Sequence, residues 1–322
     1  MAPTPSDQAR PAETATDPAR VNLFQPPTFP QVEPRQSAPV EKGSVLRLTD
    51  VRVRLGSTVA LDGVSFEVGP GQVVSVAGDD GAGKSTVFNT ICGFVRPETG
   101  EITWRGSPLR PRPHRLTTLG VARTLQGVGL YGGLTVLENV LVGSAGVPRV
   151  PAVPPGRPAG VAVALLGTLR PARDGNAMRV LAIDHLTRLG LSEYLDADLS
   201  AVPASLQGRV VLTRALLAEP ELLLLDDPAV GLDRAAAPDG VADEAPDAEP
   251  EASFEPAAVA ELAALVRALP VRSARSGRSS AVLLGTRVPE LALAASDRVV
   301  VLDGGSVVAA GTPELITLRW YR

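Results

Sequence analysis

At 322 residues the chain is long enough for one large domain or two smaller ones, and its 44% hydrophobic content supplies a core although aromatics make up only 3%. A net charge of −4, with no Lys/Arg cluster recurring on one predicted face, argues against nucleic acid as a main partner. One cysteine, Cys92, excludes an internal disulfide framework and fits a reducing compartment. No basic flank leads into an apolar core at the N-terminus, and the longest apolar stretch, around residues 161–169, is too short for a bilayer, so the chain reads as cytosolic.

Residues 1–43 are rich in Pro, Ala and Thr without periodicity and are expected to form a disordered tail, because such a segment buries too little surface to offset its ordering. From Val45 the pattern turns to strand alternation: Val45, Val51, Val53 and Leu55 interleave with Arg47, Asp50, Arg52 and Arg54. A second strand, 64–68, ends at the turn Gly69-Pro70-Gly71. The apolar run 73–77 predicts a buried strand leading into Gly78-Asp79-Asp80-Gly81-Ala82-Gly83-Lys84-Ser85, and a helix is predicted from Thr86 to Ile91. The spacing is Gly-x4-Gly-Lys-[Ser/Thr]: glycines let backbone N–H groups turn inward around an oxyanion, and the helix N-terminus adds a favourable dipole. Lys84 offers a point charge to outer phosphates, and Ser85 a hydroxyl to Mg2+. Residues 78–86 are therefore the candidate nucleotide-binding segment of a P-loop fold, and the early strands predict an antiparallel layer leaning on a parallel α/β core.

Residues 148–175 are dense in Pro and Gly and predict a loop or loose insertion. Residues 178–191 carry Val180, Leu181, Ile183, Leu186 and Leu189 as one amphipathic helical face, and 205–218 predict another helix. The run 222–225 predicts a buried strand ending in Asp226-Asp227, with Pro228 stopping it. An acid at the carboxyl end of a core strand beside a P-loop is where Mg2+ is held, which makes Asp226 the candidate metal carboxylate of a Walker B-type strand. The acidic, Ala/Pro-rich stretch 235–256 is expected to be a disordered surface insertion. A helix over 257–269, a strand over 281–284 and a hairpin around Asp303-Gly304-Gly305 follow it.

Between the two phosphate-site motifs lie Val121-Ala122-Arg123-Thr124-Leu125-Gln126 and Leu134-Thr135-Val136-Leu137-Glu138-Asn139-Val140. With Phe88-Asn89-Thr90-Ile91-Cys92-Gly93-Phe94, they resemble the ATP-binding subunits of ABC transporters, most closely the branched-chain amino-acid uptake branch, where F-N-x-I-x-G-F and A-R-T-F-Q runs recur. Val230-Gly231-Leu232-Asp233 resembles the family's D-loop and 296–302 its closing strand, so the resemblance covers roughly residues 45–316. It implies an α/β, P-loop NTPase fold: an ABC-type nucleotide-binding domain over 44–316 with an antiparallel β-layer, a helical subdomain at about 126–218, and a short tail at 317–322. It implies ATP and Mg2+ as ligands, with Gln126 as the Q-loop glutamine that contacts Mg2+ alongside Ser85 and Asp226 and faces the membrane subunit. The implied partners are a second nucleotide-binding domain, in a homo- or heterodimer, and transmembrane permease subunits at the inner face of the cell membrane. In such a dimer each ATP lies between one P-loop and the partner's signature motif.

The chain departs from the family at five places, all on the chemistry. The residue after Asp226, normally a Glu that positions the attacking water, is Asp227, and a misplacement of about 1 Å can cost roughly 100-fold in rate. Arg287 takes the place of the switch histidine; it cannot accept a hydrogen bond but can neutralise a γ-phosphate. His114 and His185, the two histidines of the chain, lie elsewhere and read as ordinary surface or helix residues. The signature, normally L-S-G-G-Q, falls on Val202-Pro203-Ala204-Ser205-Leu206 followed by Gln207, or in a rival register on Ala204-Ser205-Leu206-Gln207-Gly208. The first register puts proline in place of serine, removing a hydroxyl and an N–H. Asp79 and Asp80 stand where Pro and Asn are usual; a carboxylate about 7 Å from a phosphate charge costs on the order of 2 kcal/mol at an effective dielectric near 20. Leu55 sits where an aromatic ring usually stacks on adenine, forgoing about 1 kcal/mol.

Three functional readings follow. One is an energy-coupling subunit that binds Mg-ATP and drives uptake of a small solute, amino acids by its branch, with slow or impaired hydrolysis and with Asp227 and Arg287 as its catalytic residues. Another is a pseudo-ATPase that holds nucleotide as a regulatory or structural partner. A P-loop protein with no transporter is a third reading, against which Gln126 and the 134–140 run, similar to a docking surface for membrane helices, both argue.

Overall fold

The computed structural model describes residues 43–124, 130–143, 175–229, 256–270 and 277–320. Strand alternation builds its first layer. In β1 (Leu46–Leu55), Leu46, Leu48, Val51 and Val53 are buried while Arg47, Arg52 and Arg54 face out. The alternation breaks at Asp50, which takes φ 47° where the register with the next strand shifts. β1 pairs antiparallel with β2 (Thr58–Val68) and β4 (Thr99–Trp104), and β5 (Ser107–Pro108) completes a four-stranded sheet ordered β2-β1-β4-β5.

The second sheet has six strands in the order β10-β9-β3-β8-β7-β6. Its centre is β3 (Val73–Ala77), β8 (Ala281–Thr286) and β7 (Leu222–Asp226), every residue of which is buried, as both faces of a parallel sheet are covered. β6 (Val121–Thr124) adds a parallel edge beyond β7, and β9 (Arg298–Asp303) runs parallel to β3 on the other side. β10 (Ser306–Gly311) folds back antiparallel on β9.

The helix α1 (Lys84–Cys92) lies between the two sheets, where Val87, Phe88, Ile91 and Cys92 join Leu46, Val64, Val76 and Leu224 in one core. On the opposite face of the parallel sheet, Val259 and Val266 of α5 (Pro256–Ala268) and Leu291 of α6 (Pro289–Ala295) cover Leu223, Leu225 and Leu284. A separate cluster joins α2 (Val136–Leu141), α3 (Gly175–Arg188) and α4 (Ala204–Leu216) through Val136, Val140, Ala182, Leu186 and Val210. Ile316 of α7 (Pro313–Trp320) packs against Val299 and Val301 of β9.

The α/β fold with an antiparallel layer is the one expected, and several local expectations need correction. β2 begins at Thr58, not 64, because its first half is half exposed and shows no clean apolar alternation. Val180 is 62% exposed, off the face that buries Ala182 and Leu186, because α3 is covered on one side only. The last helix runs through the boundary set at residue 316. The tail before Gly43, most of the 148–175 loop and all but the last residue of the 235–256 insertion lie outside the described residues.

Candidate functional site

The loop after β3 takes its shape from glycine. Gly78 has φ 155°, and a Cβ there would come within 2.3 Å of the Leu302 carbonyl oxygen, so only glycine lets the loop run beside β9. Gly83 has φ 105°, and its Cβ would approach the Ala60 carbonyl oxygen at 2.8 Å. The Ala82 amide donates to the Asp79 carbonyl at 3.1 Å. The Gly305 amide donates to Ala82 at 3.1 Å and the Asp62 amide to Gly305 at 2.9 Å, so the β9–β10 turn and β2 brace the loop. α1 starts directly after Gly83 with no side-chain cap, leaving its first backbone donors to an anion. Lys84 is buried, and its Nζ donates to the carbonyls of Gly78 at 2.6 Å and Asp79 at 2.7 Å, holding it along the loop. Ser85, Asp79 and Asp80 are exposed, so salt weakens the repulsion expected between the loop carboxylates and a phosphate.

Across from the loop, the end of β7 delivers two buried carboxylates. Asp226 is in register with Gly285 of β8, and the Asp227 amide donates to the Gly285 carbonyl at 2.9 Å with Asp227 at φ 44°. Asp227 Oδ1 is buried without a hydrogen-bond partner among the described residues. Burial pushes the Asp227 carboxyl above its ordinary range, against the opposing pull of Arg287 and Lys84. Arg287 spans the gap between the two sides: its Nη1 lies 3.4 Å from Asp80 Oδ2 and its Nε 3.9 Å from Asp227 Oδ2. Three of the sequence departures therefore meet at one guanidinium, a grouping the sequence hid because Asp80 and Arg287 stand 207 residues apart.

Sequence reasoning also left Arg123 without a role. Its Nη2 lies 2.5 Å from Asp226 Oδ2 and its Nη1 donates to Asn89 Oδ1 at 2.8 Å, although both residues belong to runs already singled out.

Ser85 and Asp226 supply oxygen donors, and no group of three or more His, Cys, Asp or Glu forms among the described residues. That donor set suits Mg2+, which keeps waters and takes one or two protein ligands together with phosphate oxygens, and the unpartnered Asp227 oxygen adds an acceptor beside it.

At the start of α4, Val202 is buried and Pro203 is the N-cap residue, with φ −50° and ψ 139° and no side-chain cap. The first signature register straddles this helix start, whereas the rival register lies wholly inside the helix. In the 134–140 run, Thr135 and Glu138 form a capping box, and Asn139 Nδ2 donates to the carbonyls of Tyr131, Leu134 and Thr135. The polar side chains of that run are thus spent on holding α2 and its entry loop. Leu55, at the expected adenine position, is 48% exposed. Gln126 and residues 230–233 lie outside the described residues.

Residues 61–230 match the family described as ABC transporter. The high-affinity branched-chain amino acid transport ATP-binding protein LivG of Escherichia coli is 31% identical over 273 residues, covering 84% of this chain and 93% of the relative. The phosphonates import ATP-binding protein PhnC of Frankia casuarinae is 32% identical over 273 residues, covering 82% of this chain and 89% of the relative. Among solved structures, a nucleotide-free ATP-binding cassette from an ABC transporter gives a TM-score of 0.63 at 23% identity, over 87% of this chain and 95% of that one. The ADP conformation of MJ1267, an ATP-binding cassette of an ABC transporter, gives 0.64 at 24% identity, over 87% and 98%. At these identities the structural likeness speaks for the fold.

Proposed function

The chain belongs to the ABC transporter family as an ATP-binding subunit, and we propose that within it the protein binds Mg-ATP at residues 78–86 and hydrolyses it slowly. Lys84 holds the outer phosphates; Ser85, Gln126 and Asp226 hold the metal; Asp227 positions water; Arg287 meets the γ-phosphate. Bound Mg2+ would neutralise charge on the phosphate oxygens. The partners are a second nucleotide-binding domain and transmembrane permease subunits, with the chain peripheral at the inner face of the membrane. In keeping with that placement, no helix among the described residues is long and apolar enough to cross a membrane. The nucleotide-binding domain extends from about residue 44 through α7, with its helical subdomain at about 126–218.

One observation carries the ATP-binding reading: a glycine-shaped loop with Lys84 laid along it, opposite the buried Asp226 at the end of β7. Uptake of amino acids is favoured by the Phe88-to-Phe94 and Arg123-to-Gln126 runs and by the likeness to LivG, while PhnC keeps phosphonate import as the competitor. Slow hydrolysis is favoured by Asp227, which is short and buried, and by Arg287, already engaged with two carboxylates. The same engagement supports the second reading, a subunit that holds nucleotide without driving transport.

The test follows the fate of bound nucleotide. Protein loaded with labelled Mg-ATP and freed of excess is expected to retain ATP, with ADP accumulating only over many minutes, and Lys84→Ala is expected to retain neither. Conversion within seconds that disappears in Lys84→Ala would overturn slow hydrolysis, and failure of the wild type to retain nucleotide would overturn ATP binding itself.

A further inference from the structure

The two runs that mark the branch, one on α1 and one on β6, meet at a single carboxylate. Arg123 stands on the edge strand β6, with its side chain 9% exposed against 8% for Asp226. Its guanidinium spends one arm on Asp226 Oδ2 at 2.5 Å and the other on Asn89 Oδ1 at 2.8 Å, and lies 5.7 Å above the Phe88 ring. The Phe88 ring in turn rests on Gly285 of β8, where a Cβ would come within 2.9 Å of it and 3.6 Å from Asp226 Oδ1. The Thr124 hydroxyl accepts from the Asp226 amide at 3.3 Å, so β6 fixes both the backbone and the side chain of this residue. Arg123 thus ties the helix that follows the phosphate loop to the carboxylate at the end of β7.

Such a pair is costly to bury without a purpose, since both charges leave water. A purely structural clamp would suit any carboxylate; this one sits on the residue read above as the metal ligand. Arginine stays charged at all relevant pH, so a divalent cation approaching Asp226 always meets a neighbouring positive charge. Asp227 adds one carboxylate beside it, but no group of three or more acidic, His or Cys ligands forms among the described residues, so the ligand's phosphates supply the rest of the negative charge.

We propose that Arg123, held by Asn89 and Phe88, is a positioning residue that fixes the rotamer of Asp226 and keeps it from taking a bare divalent cation, so that metal enters only together with nucleotide phosphates. This rests on the reading of Asp226 as the metal carboxylate.

Mn2+ binding to the full chain, followed by electron paramagnetic resonance with and without the non-hydrolysable analogue AMP-PNP, tests it. The wild type is expected to bind Mn2+ tightly with AMP-PNP present and only weakly without it. Arg123→Gln is expected to bind Mn2+ without nucleotide about tenfold more tightly than the wild type, through removal of one like charge, and to lose that gain when Asp226→Asn is added. Arg123→Lys keeps the charge but not the fork, so nucleotide-free binding stays as weak as in the wild type while Mn2+ affinity in the AMP-PNP complex falls about threefold. Arg123→Lys also carries the test if Arg123→Gln does not fold. A merely structural role would lower the melting temperature and leave the metal preference unmoved. Nucleotide-free affinity unchanged in a folded Arg123→Gln, or a gain that survives Asp226→Asn, overturns the role of Arg123. Absence of Mn2+ from the wild type even with AMP-PNP removes instead the Mg-nucleotide reading on which it rests.

Discussion

The phosphate loop and the carboxyl ends of β7 and β8 line opposite sides of one site, and they are made of different material. The loop is backbone: its form rests on Gly78 and Gly83, on amide-to-carbonyl bonds within it, and on bracing by the β9–β10 turn. Side chains at Asp79 and Asp80 can change without disturbing that form, because both are exposed. The β7–β8 side is side-chain chemistry: Asp226 on Arg123, Asp227 beside Arg287, and Arg287 reaching back to Asp80. Backbone-built binding tolerates exchange of residues, whereas chemistry built from side chains changes with each of them. Under the proposed function, the contrast assigns nucleotide binding to the first side and hydrolysis to the second.

The largest expected effect tests the first side alone. Lys84→Ala removes a charged donor to the phosphates, worth about 2–3 kcal/mol, and is expected to weaken ATP binding about 100-fold in equilibrium titration. The melting temperature should barely move, since among the described residues Lys84 bonds to carbonyls of its own loop. A loss smaller than about threefold would show that the loop binds through its backbone donors, with the Lys84 side chain adding little.

Asp80→Asn probes a link between the sides. Its contact with Arg287 is 3.4 Å and its side chain is 79% exposed, so stability should change by less than about 1 kcal/mol. Removing the carboxylate relieves repulsion of the phosphates and frees Arg287 for them, so ATP should bind about tenfold more tightly at low ionic strength and only about twofold more tightly in about 0.5 M salt. Equal affinity at low salt would mean that Arg287 serves Asp227 and not the nucleotide.

What the sequence disclosed follows the same division. β3, β7 and the loop were legible because an unbroken apolar run and a glycine spacing are local signals. β6 was not: it has four residues, and its Arg123 looks like a surface residue until Asp226, 103 positions later, neutralises it. The 134–140 run was recognised by likeness, yet its Thr135, Glu138 and Asn139 spend their side chains on capping, a local role that spacing alone could have shown. Asp227 and Arg287 were each found as departures, but their meeting with Asp80 depends on how β8 and the loop are brought together, which no window of sequence contains.

The smallest effect sharpens the second side. Asp227 is buried, its Oδ1 has no partner among the described residues, and its carboxyl titrates above the ordinary value of 3.8. Well below that value both the folded and unfolded chains hold the proton, and the residue costs nothing. As pH rises through the unfolded value the unfolded chain releases its proton first, so stability falls until the folded-state value is passed and stays lower above it. Asp227→Asn keeps the shape, tolerates φ 44°, and removes the charge. It is expected to stabilise the protein by about 1 kcal/mol at neutral pH, with the gain fading as pH falls toward the ordinary carboxylate range. Urea denaturation at several pH values reads this directly. A gain that is independent of pH would show packing at work in place of charge, and a loss at neutral pH would show that the attraction of Arg287 at 3.9 Å outweighs burial. In that second case Asp227 would be a settled ion-pair partner, and the β7–β8 side would be built for stability more than for positioning water.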